Sequence, residues 1–210
     1  MASAAAVALS ASSAFAQAAD PWQGFYAGVN ANYIDSKSYS ADSAGKWFAH
    51  GGGGGIQAGF NESMPGFVWG GEADADYNDV SGTSDPFFGG KKLNSRLDWT
   101  GSVRVRGGIP FSDVPIVNNM LVYGTGGLAI GQWRERFSEP STPSDTAHKT
   151  DFGWTLGGGV EFPVGDNMSL KAEYLYADYG RKSYDLTAGP YKIHNWTNTF
   201  RIGLNWHFDP

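Results

Sequence analysis

The residues of this chain with the widest chemical range are its four histidines, His50, His148, His194 and His207. A neutral imidazole can act as the base that activates a serine, and it also binds transition metals and heme iron. No motif gives any of the four a specific serine partner, so we expect the chain not to be an enzyme. An enzyme that uses such a serine and histidine pair is kept as an alternative. Cysteine is absent, which excludes disulfides and thiolate metal sites, and we expect no metal.

Charged side chains form a second group with chemical potential, because several of them recur at every second position. Residues two apart in a strand lie on the same face, so acids and bases on adjacent strands can meet. A charge inside a dry interior is too costly without a partner. The sequence therefore predicts one interior ion-pair network, made of Glu72, Asp74, Asp76, Arg104, Arg106, Glu161, Lys171, Glu173 and Arg201.

The elements that must position these residues are segments in which apolar and polar side chains alternate. In the last segment, apolar residues from Phe200 onward alternate with polar residues from Arg201 onward. A period of two is typical of a strand with one apolar and one polar face. In the fourth segment, Leu97 and Trp99 are both assigned to the apolar face. In the fifth, the alternation is ambiguous at residues 124–127, which we interpret as a bulge. The predicted strands are residues 25–34, 52–61, 67–77, 97–109, 120–133, 151–162, 168–179 and 196–208.

The connections between these strands alternate strictly between long and short. The long, polar ones are residues 35–49, 78–95, 135–149 and 180–195, and the short ones are residues 62–66, 110–119 and 163–167. Outer-membrane barrels have an even number of strands, short periplasmic turns and long extracellular loops. The sequence therefore predicts an all-β protein, an eight-stranded antiparallel up-and-down transmembrane β-barrel with four long extracellular loops and short periplasmic turns.

A soluble barrel of the lipocalin kind would show the same alternation, with its apolar face buried. Two features favour an apolar face turned toward lipid. Small residues suit the crowded interior of an eight-stranded barrel, and aromatic side chains at both ends of the apolar face resemble the girdles at membrane interfaces. The polar face carries Gly28, Gly59, Gly153, Gly157, Gly159 and Gly203, and the aromatic ends carry Tyr33, Phe67, Tyr77, Trp154, Phe162, Trp196 and Trp206.

The first residues of the chain are rich in alanine and serine and include Ala14-Phe15-Ala16, the small-x-small pattern of signal-peptidase cleavage. No Lys or Arg precedes Lys37. We therefore predict a signal peptide at residues 1–18 whose true start lies upstream, and the barrel at residues 19–210. Export adds a third argument for the membrane. The net charge of −6 argues against nucleic acid as a partner.

Several stretches, taken in order, carry a family resemblance. They are residues 22–28 (WQGFYAG), 70–72 (GGE), 99–104 (WTGSVR), 123–129 (YGTGGLA), 153–161 (GWTLGGGVE) and 169–176 (SLKAEYLY). The chain resembles the small outer-membrane β-barrel proteins of alphaproteobacteria, a "porin family" group that contains major surface antigens and hemin-binding members. The resemblance implies a location in the cell outer membrane. Outer-membrane lipids, lipopolysaccharide and the outer-membrane assembly machinery are the partners it implies, with homo-oligomerisation left open.

Besides an enzyme acting on lipid A or phospholipid at the barrel rim, two functions follow from this. The first is a role in envelope structure and surface interaction, with the lumen plugged by the ion-pair network. The second is transport, by a narrow porin-like channel or a hemin-binding receptor. His50, His148 and His194 lie near the outer ends of the second, sixth and eighth predicted strands, so hemin is the one cofactor left open.

Overall fold

The computed structural model describes residues 21–40, 45–83, 92–114, 117–139, 142–186 and 189–208. Its strands pair in chain order, each antiparallel to the next, and the last strand pairs with the first to close a barrel. The predicted fold class is therefore confirmed. The strands are β1 (Gly24–Ser40), β2 (Gly45–Met64), β3 (Phe67–Thr83), β4 (Lys92–Val114), β5 (Val117–Glu139), β6 (Thr142–Pro163), β7 (Met168–Leu186) and β8 (Gly189–His207). Residues 1–20 lie outside this description, so the signal peptide stays a prediction.

The strands extend well beyond their predicted ends. The pairing of β1 with β2 continues to Ser40 and Gly45, and that of β7 with β8 continues to Leu186 and Gly189. Most of each long polar connection is therefore a continuation of the strand ladder. Ladder hydrogen bonds join backbone groups and do not need apolar side chains. Where both faces of a hairpin meet water, neither face needs apolar side chains. The alternation of apolar and polar residues is then lost, although the strand continues.

One irregularity lies in a different strand from the one predicted. β5 pairs without interruption through residues 124–127 with both of its neighbours, so the predicted bulge there is wrong. Glycines occupy both faces at this point, and they carry no side chain that would reveal the alternation. The register between β4 and β5 shifts instead between Leu97 and Trp99. This shift reverses the alternation, so Leu97, which was predicted to face outward, is wholly buried inside the barrel.

The two faces of the barrel differ sharply in exposure. Large apolar side chains cover the outside, and Val105 and Leu128 are each 71% exposed. Charged and polar side chains such as Glu72, Lys171 and Arg201 are buried inside. This is the inverse of a soluble barrel and matches a lipid-facing exterior. No helix among the described residues is long and apolar enough to span a membrane.

The interior of the barrel holds a charged middle layer and an apolar cluster toward each end, and uncharged polar side chains such as Asn30, Asn61 and Asn195 are buried with them. The charged residues occupy the middle. Near the end where β1 begins and β8 ends, a small apolar cluster is formed by Trp22, Val68, Leu121 and Tyr123. Toward the other end, a larger apolar cluster is formed by Ile34, Ala49, Val80, Leu97, Ala129, Trp133, Ala177 and Tyr179. We call these the lower and the upper apolar cluster.

Candidate functional site: the charged interior of the barrel

Glu72 on β3 lies at the centre of the charged layer. Its carboxylate accepts hydrogen bonds from Lys171 Nζ at 2.8 and 2.7 Å and from the Tyr26 hydroxyl at 2.7 Å. Arg104 Nη2 donates to the same carboxylate at 2.5 Å. These donors stand on β7, β1 and β4. Arg104 lies directly opposite Glu72 on the neighbouring strand, whereas Lys171 reaches it across the lumen. A buried carboxylate with this many charge-assisted hydrogen bonds is well compensated for its loss of water.

A second group of contacts lies on the upper side of Glu72. Arg201 Nη2 donates to Asp74 Oδ1 at 2.9 Å and to Asp76 Oδ2 at 2.5 Å. Arg104 connects this group to the centre, because its Nη1 donates to Glu173 Oε1 at 2.9 Å and its Nη2 lies 3.2 Å from Asp74 Oδ2. β3, β4, β7 and β8 are thereby joined through side chains in addition to their backbone ladders.

Arg106 is the link toward the lower apolar cluster. Its Nη2 donates to Glu161 Oε2 at 2.5 Å, and its Nη1 donates to the Tyr26 hydroxyl at 3.1 Å. The guanidinium carbon lies 4.0 Å from the centroid of the Tyr123 ring, a cation–π contact. The Tyr123 hydroxyl donates to Glu173 Oε1 at 3.0 Å. Neither Tyr26 nor Tyr123 was among the predicted site residues. The sequence could have indicated Tyr26, because it alternates with the outward-facing Phe25 and therefore faces the interior.

The structure brings all nine predicted residues together in one network. Five carboxylates face four cationic side chains, and each cation lies within ion-pair distance of at least one carboxylate. The nine side chains come from β3, β4, β6, β7 and β8, and Tyr26 adds β1. The network therefore spans the lumen rather than lining one wall of it.

His207 lies in the interior, close to a serine and a glutamate. Its Nε2 is 2.9 Å from Ser169 Oγ and 3.8 Å from Glu161 Oε1. Ser169 Oγ donates to that same glutamate oxygen at 2.5 Å, and Asn205 Nδ2 donates to it at 2.8 Å. A catalytic triad needs the acid on the other ring nitrogen, Nδ1, so that Nε2 is left to accept the serine proton. The arrangement here lacks that geometry and extends the polar network instead.

The absence of a side chain at Gly59 is what allows Tyr26 to reach Glu72. A Cβ added at position 59 would lie 2.4 Å from both Cζ and the hydroxyl oxygen of Tyr26, and 2.6 Å from the carbonyl oxygen of Gly71. Gly59→Ala is therefore expected to lower the free energy of unfolding by about 1–3 kcal/mol through overpacking. Urea unfolding of the protein in lipid vesicles measures the change.

Gly71→Ala is the matched control for this substitution. Gly71 is exposed on the outside of the neighbouring strand, and the nearest atom to an added Cβ is 3.7 Å away. We expect its unfolding free energy to stay within about 0.5 kcal/mol of the parent, as for surface changes in general. Equal losses for both variants would contradict the steric role of Gly59.

The three histidines predicted for hemin are not brought together. His50 is exposed on β2, and β1 separates that strand from His194 on β8. His194 Nε2 contacts Asp178 Oδ1 at 2.8 Å. His148 pairs with Arg134 in the β5–β6 ladder, and its side chain lies outside the description. Among the described residues, no three His, Cys, Asp or Glu side chains could jointly hold a metal ion. Hemin binding stays a prediction.

With the barrel and its interior in view, comparison with known proteins shows the family. The profile of the family described as "Outer membrane protein beta-barrel domain" matches residues 3–208. The chain belongs to this family. This outer-membrane barrel is 34% identical to the 31 kDa outer-membrane immunogenic protein of Brucella melitensis, over 89% of its own length and 84% of that protein. It is also 34% identical to a 22 kDa outer membrane protein of Rhizobium leguminosarum, over 90% and 80% of the two chains.

Among solved structures, the outer-membrane barrel is similar to Ail of Yersinia pestis. The two are 14% identical with a TM-score of 0.49, and the match covers 89% of this chain and 99% of that one. A likeness of this size carries no argument about function.

Membership of the family sets the orientation of the outer-membrane barrel. Short turns face the periplasm and long connections face the outside in such barrels. The lower apolar cluster is therefore at the periplasmic end, and the upper apolar cluster is at the extracellular end. The exposed rings of Tyr33, Tyr77, Trp99 and Trp154 form the outer aromatic girdle, and those of Phe25, Phe67 and Trp206 form the inner one.

Proposed function

We propose that this protein is a closed barrel that contributes to envelope structure and presents its extracellular hairpins for surface interaction. The observation that carries the proposal is the layering of the interior. Two apolar clusters enclose a charged layer whose members contact one another across the lumen. In this arrangement the ion-pair network acts as a plug.

The alternative of a narrow porin-like channel requires an opening past the charged layer and both apolar clusters. The side chains of the middle layer are held by several contacts each, since Glu72 alone engages Lys171, Arg104 and Tyr26. Opening this layer would leave buried charges without partners, which is costly. The two apolar clusters would also have to admit water. The closed state is therefore the one that the contacts support.

The extracellular hairpins that extend beyond the outer aromatic girdle form the surface that we propose for interaction. β1 continues beyond Tyr33 to Ser40, and β4 begins at Lys92, before Trp99. Charged side chains stand on the outside of these extensions, among them Lys37 beside Asp35 at 3.8 Å. Such projecting, charged hairpins suit contacts with molecules outside the cell. We propose no enzymatic step and no resident cofactor.

Single-channel recording in planar lipid bilayers tests the closed barrel. We expect the refolded parent to show no discrete conductance steps at neutral pH, because the charged layer and both apolar clusters block the lumen. Folding is checked separately by the heat-modifiable gel migration that folded barrels show. Steps of uniform size that appear in proportion to the amount of inserted protein would contradict the plug and favour the channel.

A further inference from the structure

The three residues before β1, residues 21–23, belong to no strand and lie at the periplasmic end of the barrel. The next residue, Gly24, has a φ of +103°, a backbone conformation that residues with a side chain rarely adopt. A Cβ added there would also lie 3.3 Å from the carbonyl oxygen of Phe208. The chain therefore changes direction at a position that requires glycine. We call residues 21–23 the strap.

Trp22, the middle residue of the strap, is buried on the far side of the lumen from where β1 would place it. Its side chain is 2% exposed, and the other members of its cluster are Val68 on β3 and Leu121 and Tyr123 on β5. β1 pairs only with β2 and β8, so none of these partners stands on a strand that adjoins β1. The strap therefore crosses the periplasmic mouth of the barrel.

The wall of the barrel has too few large side chains at this level to close the mouth by itself. One row of register from β3 to β6 contains Val68, Gly108, Tyr123 and Gly159. Two of these four inward positions have no side chain, and Val68 is small. The indole of Trp22 supplies the missing bulk, because a tryptophan ring is the largest apolar group that a chain can place there.

Tyr123 connects the strap to the charged layer. Its ring lies 4.0 Å from the guanidinium carbon of Arg106, and its hydroxyl donates to Glu173 Oε1 at 3.0 Å. Because the strap precedes β1, Trp22 lies on the periplasmic side of these contacts. Undocking of the indole would therefore let water reach Tyr123 and the arginine behind it.

We propose that the strap is the movable stopper of the lumen, and that Trp22 is the residue that closes the periplasmic mouth. The first ladder pair of β1 is Gly24 with Asn61, so the strap lies outside the ladder and can leave without breaking a strand pair. The upper apolar cluster consists of strand residues alone and has no such movable part. The proposal rests on the closed barrel proposed above and names the end at which it opens.

A single introduced thiol tests the seal, since the chain contains no cysteine. Val68→Cys places the thiol beside the strap, and Val80→Cys places it in the upper apolar cluster on the same strand; both valines are buried. The refolded proteins in neutral detergent micelles are treated with a water-soluble cationic methanethiosulfonate, and mass spectrometry follows the modification. We expect Trp22→Ala to speed modification of the thiol of Val68→Cys about tenfold, because local opening becomes easier. The thiol of Val80→Cys should stay protected.

Gly24→Ala is a second variant that keeps the indole but strains the turn of the strap, and we expect it to speed the same modification. Its control is Gly66→Ala, which also has a positive φ at the periplasmic end, +77°, but lies in a turn away from the strap. The control for Trp22→Ala is Phe25→Ala, which removes an aromatic ring close by that is 49% exposed on the outside. Both controls should leave the modification rate unchanged. Heat-modifiable gel migration verifies that each variant is folded.

Three results would overturn the stopper. They are rapid modification of Val68→Cys in the otherwise unchanged protein, no effect of Trp22→Ala, and an equal effect of Trp22→Ala on Val80→Cys, which would mean general loosening. If Trp22→Ala does not fold, an unchanged rate in Gly24→Ala refutes the proposal. Conductance steps of the parent would contradict the closed barrel, whereas the dependence of Val68→Cys modification on Trp22 tests the strap alone.

Discussion

Arg104→Ala is expected to lower the free energy of unfolding by about 3–5 kcal/mol, the range found when one partner of a buried ion pair is removed. Arg104 is fully buried and contacts Glu72, Asp74 and Glu173, so its loss leaves three carboxylates with fewer partners. Lys171 and Arg201 already pair with Glu72 and Asp74, so they cannot also supply the charge that Arg104 contributes. Urea unfolding in lipid vesicles, followed by tryptophan fluorescence, measures the change.

The control for this substitution is Arg134→Ala, which also removes an arginine from an ion pair. The pair of Arg134 with Asp98 has a similar length, 2.9 Å, but the arginine is 45% exposed. Asp98 is only 8% exposed, but it keeps its second partner Arg96, so loss of the exposed Arg134 should cost only about 0–1 kcal/mol and the control should unfold almost like the parent. If Arg104→Ala were as stable as Arg134→Ala, water would have to reach the central carboxylates, and the plug would be refuted.

Trp133→Ala is expected to cost about 3–5 kcal/mol, as large-to-small changes of buried aromatic residues do. Trp133 is the largest side chain of the upper apolar cluster and is 1% exposed. Its ring meets that of Tyr179 edge to face, with centroids 6.0 Å apart. Removal leaves a cavity inside a closed barrel, where the strand ladders prevent the walls from collapsing. The same unfolding assay measures the effect.

Trp99→Ala provides the comparison on the opposite face of the sheet. Trp99 follows the register shift on β4, is 50% exposed and packs edge to face against Tyr77. Lipid can fill the space that the missing ring leaves, so we expect a clearly smaller loss than for Trp133→Ala. A larger loss for the outer tryptophan would contradict the assignment of the upper apolar cluster to the interior.

The amino-acid sequence by itself determined the strand count, the antiparallel order and the direction of the apolar face. These follow from local patterns, since alternation reports a strand and the spacing of polar connections reports the two ends of the barrel. It also indicated which charges share the interior, because Glu72 and Arg104 each stand in an unbroken run of alternation. The predicted strands are too short, because the hydropathy pattern indicates contact with lipid and not backbone pairing.

Only the tertiary structure decided which interior residues meet. Lys171 and Glu72 are 99 residues apart in the chain, and their contact depends on how the closed ladder staggers β3 against β7. Leu97 and Trp133 point inward because the register shift in β4 and the continuous pairing of β5 with β6 up to Phe137 set their parity. A single residue of shift turns every later side chain to the other face. Such a shift is a property of the paired strands, so no single strand's sequence reveals it.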